Sequence, residues 1–223
     1  GFNVESESEL FALSEVASAL GKTASIAIRV NPDVDAKTHA KISTGKAENK
    51  FGVPYDQAAA IYARLAALDG LEMRGLAVHI GSQITSLEPS RAAFGKMGQL
   101  MSALRAGGLN VTHMDLGGGL GVPYKMGAVL PGPAEYGAMV AEVTRDWDAT
   151  IQFEPGRVIT GNSGVLLTRV VRVKPGVTAP FVVVDAAMND LVRPAMYGAW
   201  HDFVAVEPSG ARMLANIVGP VCE

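Results

Sequence analysis

Ile151-Gln152-Phe153-Glu154-Pro155-Gly156-Arg157 is a short apolar run that ends in a carboxylate, a turn pair and a guanidinium. It reads as a buried strand delivering two opposite charges and a backbone amide to one rim. Two other runs end alike. Leu76-Ala77-Val78 passes into His79-Ile80-Gly81-Ser82, and His113-Met114-Asp115-Leu116 passes into Gly117-Gly118-Gly119-Leu120-Gly121. One Glu at a strand end is ordinarily a satisfied structural group. Three strand ends with polar or Gly-rich chemistry, separated by helix patterns, point to a shared site.

Outward from these runs, helix patterns fill the gaps. Glu5, Ser6 and Ser8 suit a helix start, and Leu10, Leu13, Val16, Ala17 and Leu20 recur at helical spacing up to the stop at Gly21. Ser25 to Val30 reads as a strand closed by Asn31-Pro32-Asp33. Asp56 suits the cap of a helix carrying Ile61, Leu65 and Leu68, and Asp69-Gly70 ends it. Pro89 suits the first turn of another, with Phe94, Met97, Leu100, Met101 and Leu104 on one face. A further helix is expected from about Ala134 to Trp147. Strands near 26, 76, 114 and 151 alternate with these helices, the order that builds a parallel sheet with every strand C-terminus on one rim. In a (β/α)8 barrel that rim is the active face.

The chain carries about five strands of the eight a barrel needs, so the expected α/β fold is a partial (β/α)8 TIM barrel. Beyond Gly164 the rhythm changes. The runs Val165 to Val173, Phe181 to Asp185, Phe203 to Val206 and Ile217 to Gly219 are β-rich without helices between them. Residues 1–162 are therefore read as the barrel part, and 163–223 as part of a C-terminal, mainly antiparallel β domain. The polar stretch from Val34 to Val53 is either a lid or substrate loop or a plain excursion.

Hydrophobic residues make up 48% of the chain, enough for a sizeable core. With 19 basic against 22 acidic residues, a net charge of −3 and no Lys/Arg block, nucleic acid and anionic membrane are not expected partners. No apolar run reaches the length of a membrane span, the first residues do not read as a signal peptide, and a cytoplasmic location is the default expectation. Cysteine occurs once, at Cys222, which excludes an internal disulfide and a Cys-based zinc site. His39, His79, His113 and His201 show no metal-ligand spacing, and no metal is expected. Gly1-Phe2-Asn3-Val4 and Val218 to Glu223 both read as cut through structure, so a fragment is expected.

Gly117-Gly118-Gly119 offers successive N–H groups without Cβ atoms, which suits a phosphate monoester; tight strand-to-loop turns use glycine as well. The run is not a dinucleotide fingerprint, because Val122 or Tyr124 falls where the third Gly should be. Glu154 and Arg157 are either a plain rim ion pair or a carboxylate for a pyridine nitrogen beside an anion-binding guanidinium. His79 is either a ring to stack on a flat cofactor or a hydrogen-bonded core histidine.

These motifs, with Phe2 to Ser6, Arg29-Val30-Asn31-Pro32, His39 to Gly45, Asn49-Lys50-Phe51-Gly52, Asp185 to Leu191, Arg193-Pro194-Ala195-Met196-Tyr197 and Val218 to Glu223, resemble the bacterial diaminopimelate decarboxylase family from end to end. Members are fold-type III enzymes that use pyridoxal 5'-phosphate (PLP) to make L-lysine and CO2 from meso-2,6-diaminopimelate. The resemblance implies that His79 stacks on the PLP ring and that Glu154 faces its nitrogen. It places Ser82, Gly117, Gly118, Gly119, Gly156 and neighbouring Arg157 at the phosphate, and implies that Arg157, Arg193 and Tyr197 contact substrate carboxylates. It further implies a homodimer in which Cys222 handles the proton replacing CO2 and Glu223 recognises the distal amino group, both across the interface. The family's Schiff-base lysine is expected to precede Gly1, since none of Lys22, Lys37, Lys41, Lys46 and Lys50 stands in its motif, so this piece alone is expected not to turn over. Related decarboxylases of carboxynorspermidine, arginine or ornithine, and a non-catalytic PLP-binding homologue, share part of the pattern.

Overall fold

Alternation along one strand explains the layering. In the computed structural model, β1 (Phe2–Val4) lies beside β2 (Ala24–Asn31), where Ala24, Ile26, Ile28 and Val30 are buried while Ser25, Ala27 and Arg29 are half-exposed. Period-two alternation of this kind turns one face to the core and leaves the other for polar chemistry. The described residues are 1–36, 44–45, 49–208, 210 and 213–221; the expectations for most of the 37–48 stretch, including His39, Lys37, Lys41 and Lys46, and for Cys222 and Glu223 fall outside them, as does the Leu65 side chain. Two compact units result: Gly1–Val122 with Leu130–Gly161, and Pro123–Val129 with Asn162–Glu223.

In the first unit, β3 (Val53–Pro54) pairs in parallel with the end of β2, and β4 (Leu71–Ala77), β5 (His113–Asp115) and β6 (Thr150–Gln152) complete a parallel sheet in the order β1-β2-β4-β5-β6. Consecutive parallel strands separated by helices are the repeat of a (β/α) barrel. The helices are α1 (Glu7–Ala19), α2 (Tyr55–Leu65), α3 (Glu88–Ala106), α4 (Pro133–Val143) and the short α5 (Arg157–Thr160). Ser6 caps α1 by accepting from the Glu9 N–H, and Gly21 at φ +59° turns the chain out of it. The expected apolar face of α3 is buried throughout, from Phe94 to Leu104, and packs in one core with Leu10, Ile28, Leu76 and Met114. Each such side chain contributes on the order of 1.5–3 kcal/mol by leaving water.

Several local expectations are corrected. Pro54, not Asp56, is the cap of α2; Asp56 sits in the first turn, where its charge meets the positive end of the helix dipole. α4 ends at Val143, before the expected Trp147: Thr144 caps it, its N–H and hydroxyl both donating to the Val140 carbonyl, and the Trp147 N–H closes a turn on the Thr144 carbonyl. Trp147 then enters the core from the following turn and lies so close to Gly98 that a Cβ there would meet the indole at 2.8 Å. β6 is not buried: Thr150 and Gln152 are exposed, since it is the edge of the sheet among the described residues.

In the second unit, β7 (Val170–Lys174) runs antiparallel to β8 (Phe181–Val184), and β9 (Asn216–Val218) runs parallel to β8. The strand expected from Val165 thus begins only at Val170. Phe203 to Val206 forms no strand and is exposed, and a short helix, α6 (Arg193–Tyr197), interrupts the run expected to lack helices. Hydrophobicity alone cannot pair a strand; without a partner ladder its backbone groups stay with water.

Candidate active site

Parallel register brings three strand ends level. Ala77 pairs with Asp115 and Asp115 with Gln152, so His79, Gly117 and Glu154 each stand just past the sheet on one rim. Backbone bonds continue the ladder there: Val78 N donates to the Asp115 carbonyl, Leu116 N to that of Gln152, and Glu154 N to that of Gly117 at 2.8 Å.

The glycines are required by this close approach. A Cβ at Gly118 would lie 2.1 Å from the Glu154 carbonyl oxygen, and one at Gly119 the same distance from that of Gly81. Gly117 adopts φ +65°, where glycine is favoured. Its N–H donates to Asp115 Oδ1 at 2.8 Å, and the Gly118 N–H reaches His79 Nδ1 at 3.3 Å. His79 Nδ1 is therefore an acceptor, and the ring proton of the neutral imidazole lies on Nε2. Burial first, then the Arg29 charge, hold the His79 pKa below its ordinary value, against the pull of Asp115. Arg29 is itself held by Glu5 at 2.6 Å and stacked over Phe51 at 5.0 Å.

Two carboxyls meet at the centre. Asp115 is buried, and its Oδ2 accepts the Asn3 amide at 2.9 Å; the same amide reaches Glu154 Oε1 at 3.4 Å. Desolvation, followed by the Asp115 charge and a hydrogen bond between the two carboxyls, pushes the Glu154 pKa up, opposed by Arg29 and Asn3. A proton or a cationic N–H donor would relieve this pair. Asn3, Asp115 and Glu154 also line a trough of roughly 750 Å3 with Ala27, His113 and Gln152.

Glu154 and Arg157 have different partners. Arg157 Nη1 donates to Gln83 Oε1 at 3.2 Å, while the Gln83 amide also takes the Val122 N–H at 3.2 Å and donates to the Val122 carbonyl at 2.7 Å. Gln83 does this from φ +57°, a conformation that non-Gly residues occupy at a cost. Ser82 precedes it, half-buried, and Gly156 caps α5 with open space around its Cα.

Arg193 and Tyr197 belong to the second unit, at the two ends of α6. The guanidinium of Arg193 lies 4.5 Å from the Tyr124 ring centroid and donates to His201 Nε2 at 2.9 Å. Asp115, Asn3, Gln83, Tyr124 and His201 carried no role in the sequence reading. The signal for Asp115 was its place directly before a Gly run at a strand end. Asn3, Gln83 and Tyr124 are visible only once distant segments meet, and His201 only once the turn after α6 brings it back to Arg193.

Residues 1–161 match the family model described as "Pyridoxal-dependent decarboxylase, pyridoxal binding domain". The chain is 51% identical over its whole length to a diaminopimelate decarboxylase of Zymomonas mobilis, of which it covers 53%. It superposes on the crystal structure of diaminopimelate decarboxylase from Helicobacter pylori complexed with L-lysine with a TM-score of 0.93 at 40% identity, covering 99% of this chain and 55% of that one. A diaminopimelate decarboxylase from M. jannaschii, in co-complex with L-lysine, gives 0.92 at 34% identity and 53% coverage of that chain. The chain thus spans about half the length of the relatives it matches. A sheet of consecutive parallel strands with this rim, and a family match over most of the residues, agree: the chain belongs to the pyridoxal-dependent decarboxylases.

Proposed function

We propose that this chain is part of an enzyme that decarboxylates meso-2,6-diaminopimelate to L-lysine and CO2 with PLP as cofactor. Residues 1–162 are read as part of the PLP-binding barrel and residues 163–223 as part of a β-rich domain. The observation that carries the reading is the rim itself, where a neutral His79, a Gly loop and a proton-seeking Glu154 stand at adjacent strand ends.

The residues fit the cofactor. A pyridine nitrogen carrying a proton suits a carboxyl whose pKa is raised by burial and Asp115, and a flat ring suits the face of a neutral imidazole. Bound PLP supplies an electron sink for the negative charge left when CO2 departs. Glu154 would keep a proton on the pyridine nitrogen, and His79 would offer its ring to the cofactor's face. Ser82, Gly156 and Gly119 would hold the phosphate with Arg157 nearby, while Gly117 and Gly118 would shape the loop around it, their own N–H groups being given to Asp115 and His79. Arg157 and Arg193 bind carboxylates by paired N–H donors, with Tyr197 beside them, as a substrate with a carboxylate at each end demands. Cys222 delivers the proton that replaces CO2 and Glu223 reads the distal amino group; both act across a homodimer interface in a cytoplasmic enzyme.

The test uses the intact parent protein with PLP. CO2 release from meso-diaminopimelate is expected; release from ornithine, arginine or carboxynorspermidine in its place would sink the substrate assignment. Cys222→Ala is expected to cut turnover by roughly 100-fold with PLP affinity unchanged, and unaltered turnover would remove Cys222 from the mechanism.

A further inference from the structure

Arg193 is held on three sides within its own unit. Its carbonyl accepts the N–H of Gly198, the residue that caps α6, and the Ala199 N–H. Its guanidinium lies over the Tyr124 ring, and Tyr124 packs edge-on against His201 with centroids 5.2 Å apart. Arginine has no acceptor, so in the 2.9 Å contact His201 Nε2 must accept, which places the ring proton on Nδ1. Burial and then Arg193 hold the His201 pKa low, so the ring stays an acceptor at neutral pH. The two supporting segments are tied together as well. Asp202 accepts the Met126 N–H and the Trp200 indole N–H, and Lys125 lies over the Trp200 ring at 5.1 Å.

A free arginine side chain samples many rotamers. Stacked on a ring and bonded through one N–H, its planar fork keeps its remaining donors aligned for a carboxylate. We propose that Tyr124 and His201 are positioning residues that hold the Arg193 guanidinium ready for the carboxylate that substrate and product share. This rests on the function proposed above, in which Arg193 binds that group. L-Lysine carries this carboxylate and cadaverine lacks it, which gives two probes that differ at the point in question.

The experiment uses the intact PLP-loaded enzyme, with steady-state kinetics on meso-diaminopimelate and calorimetric binding of L-lysine and cadaverine. His201→Phe and Tyr124→Leu are expected to raise KM and weaken L-lysine binding about 10-fold each, with kcat and cadaverine binding changed less than about twofold. His201→Gln, whose amide oxygen can accept where Nε2 did, is expected to recover most of the loss. If Arg193→Gln raises KM while His201→Phe and Tyr124→Leu bind L-lysine as the parent does, the positioning inference fails and the carboxylate role of Arg193 stands. If Arg193→Gln leaves KM unchanged, the carboxylate role itself fails. Should the Phe and Leu variants not fold, His201→Asn, whose shorter amide does not reach the guanidinium, decides: a raised KM that His201→Gln restores supports the inference, and a parent-like KM overturns it.

Discussion

The two units place their chemistry by different means. In the first, strands and helices bury one continuous core, and His79, Asp115 and Glu154 are carried to the rim by the register of packed strands. In the second, Val184 is the single buried hydrophobic among the described residues, and all five residues of β7 are exposed. Arg193 is set there by an aromatic ring, a histidine and a capped short helix. One unit positions groups through the hydrophobic effect, the other through local polar and π contacts, which are individually weaker and more sensitive to single changes.

The sharpest way to break this contrast is a matched pair of side-chain truncations, followed by urea unfolding of this 223-residue chain. Leu76→Ala, at a site with 0% exposure, is expected to cost about 2–5 kcal/mol, whereas Val173→Ala, 52% exposed, should stay within about 0.5 kcal/mol. Equal costs would mean that the second unit has a core of the same kind. Next in size is Glu154→Gln. Without PLP it removes a carboxylate that faces Asp115, so the apoprotein should melt slightly higher near neutral pH, while PLP affinity falls about 10-fold. A lower apoprotein melting point would show that the carboxyl pair does not strain the rim. The smallest effect concerns pH. The folded-state pKa of His79 lies below its unfolded value, so its contribution is complete above about pH 6.5 and is lost as pH falls through the folded value. His79→Gln should flatten that part of the acid limb of the stability curve; an unchanged acid limb would assign the loss to other groups.

Much of the first unit was legible because its signals are periodic. The α3 face, the helix start among Glu5, Ser6 and Ser8, and the strand at Ser25 to Val30 follow from spacing and capping chemistry, whereas β4 begins at Leu71, five residues ahead of the apolar run expected from Leu76. The misplacements share a cause. Trp147 lies outside its helix because its N–H bonds to the Thr144 carbonyl in a turn, and Phe203 to Val206 is no strand because pairing needs a partner that an apolar run does not specify. At the rim, the residues with evident reactivity stood out in sequence, while those that hold them did not. Asn3 reaches Asp115 across 112 residues, and Gln83 reaches Arg157 across 74.

By itself, the sequence determined the βα rhythm, the rim on which the strand ends gather, and the motifs that mark the family, because periodicity, turn residues and glycine runs act over a few neighbours. Only the tertiary structure decided which tautomer His79 holds, that Asp115 and not Arg157 stands against Glu154, and that Tyr124 and His201 flank Arg193. Those outcomes depend on distance and desolvation between segments far apart in the chain, and neither quantity exists until the chain has folded.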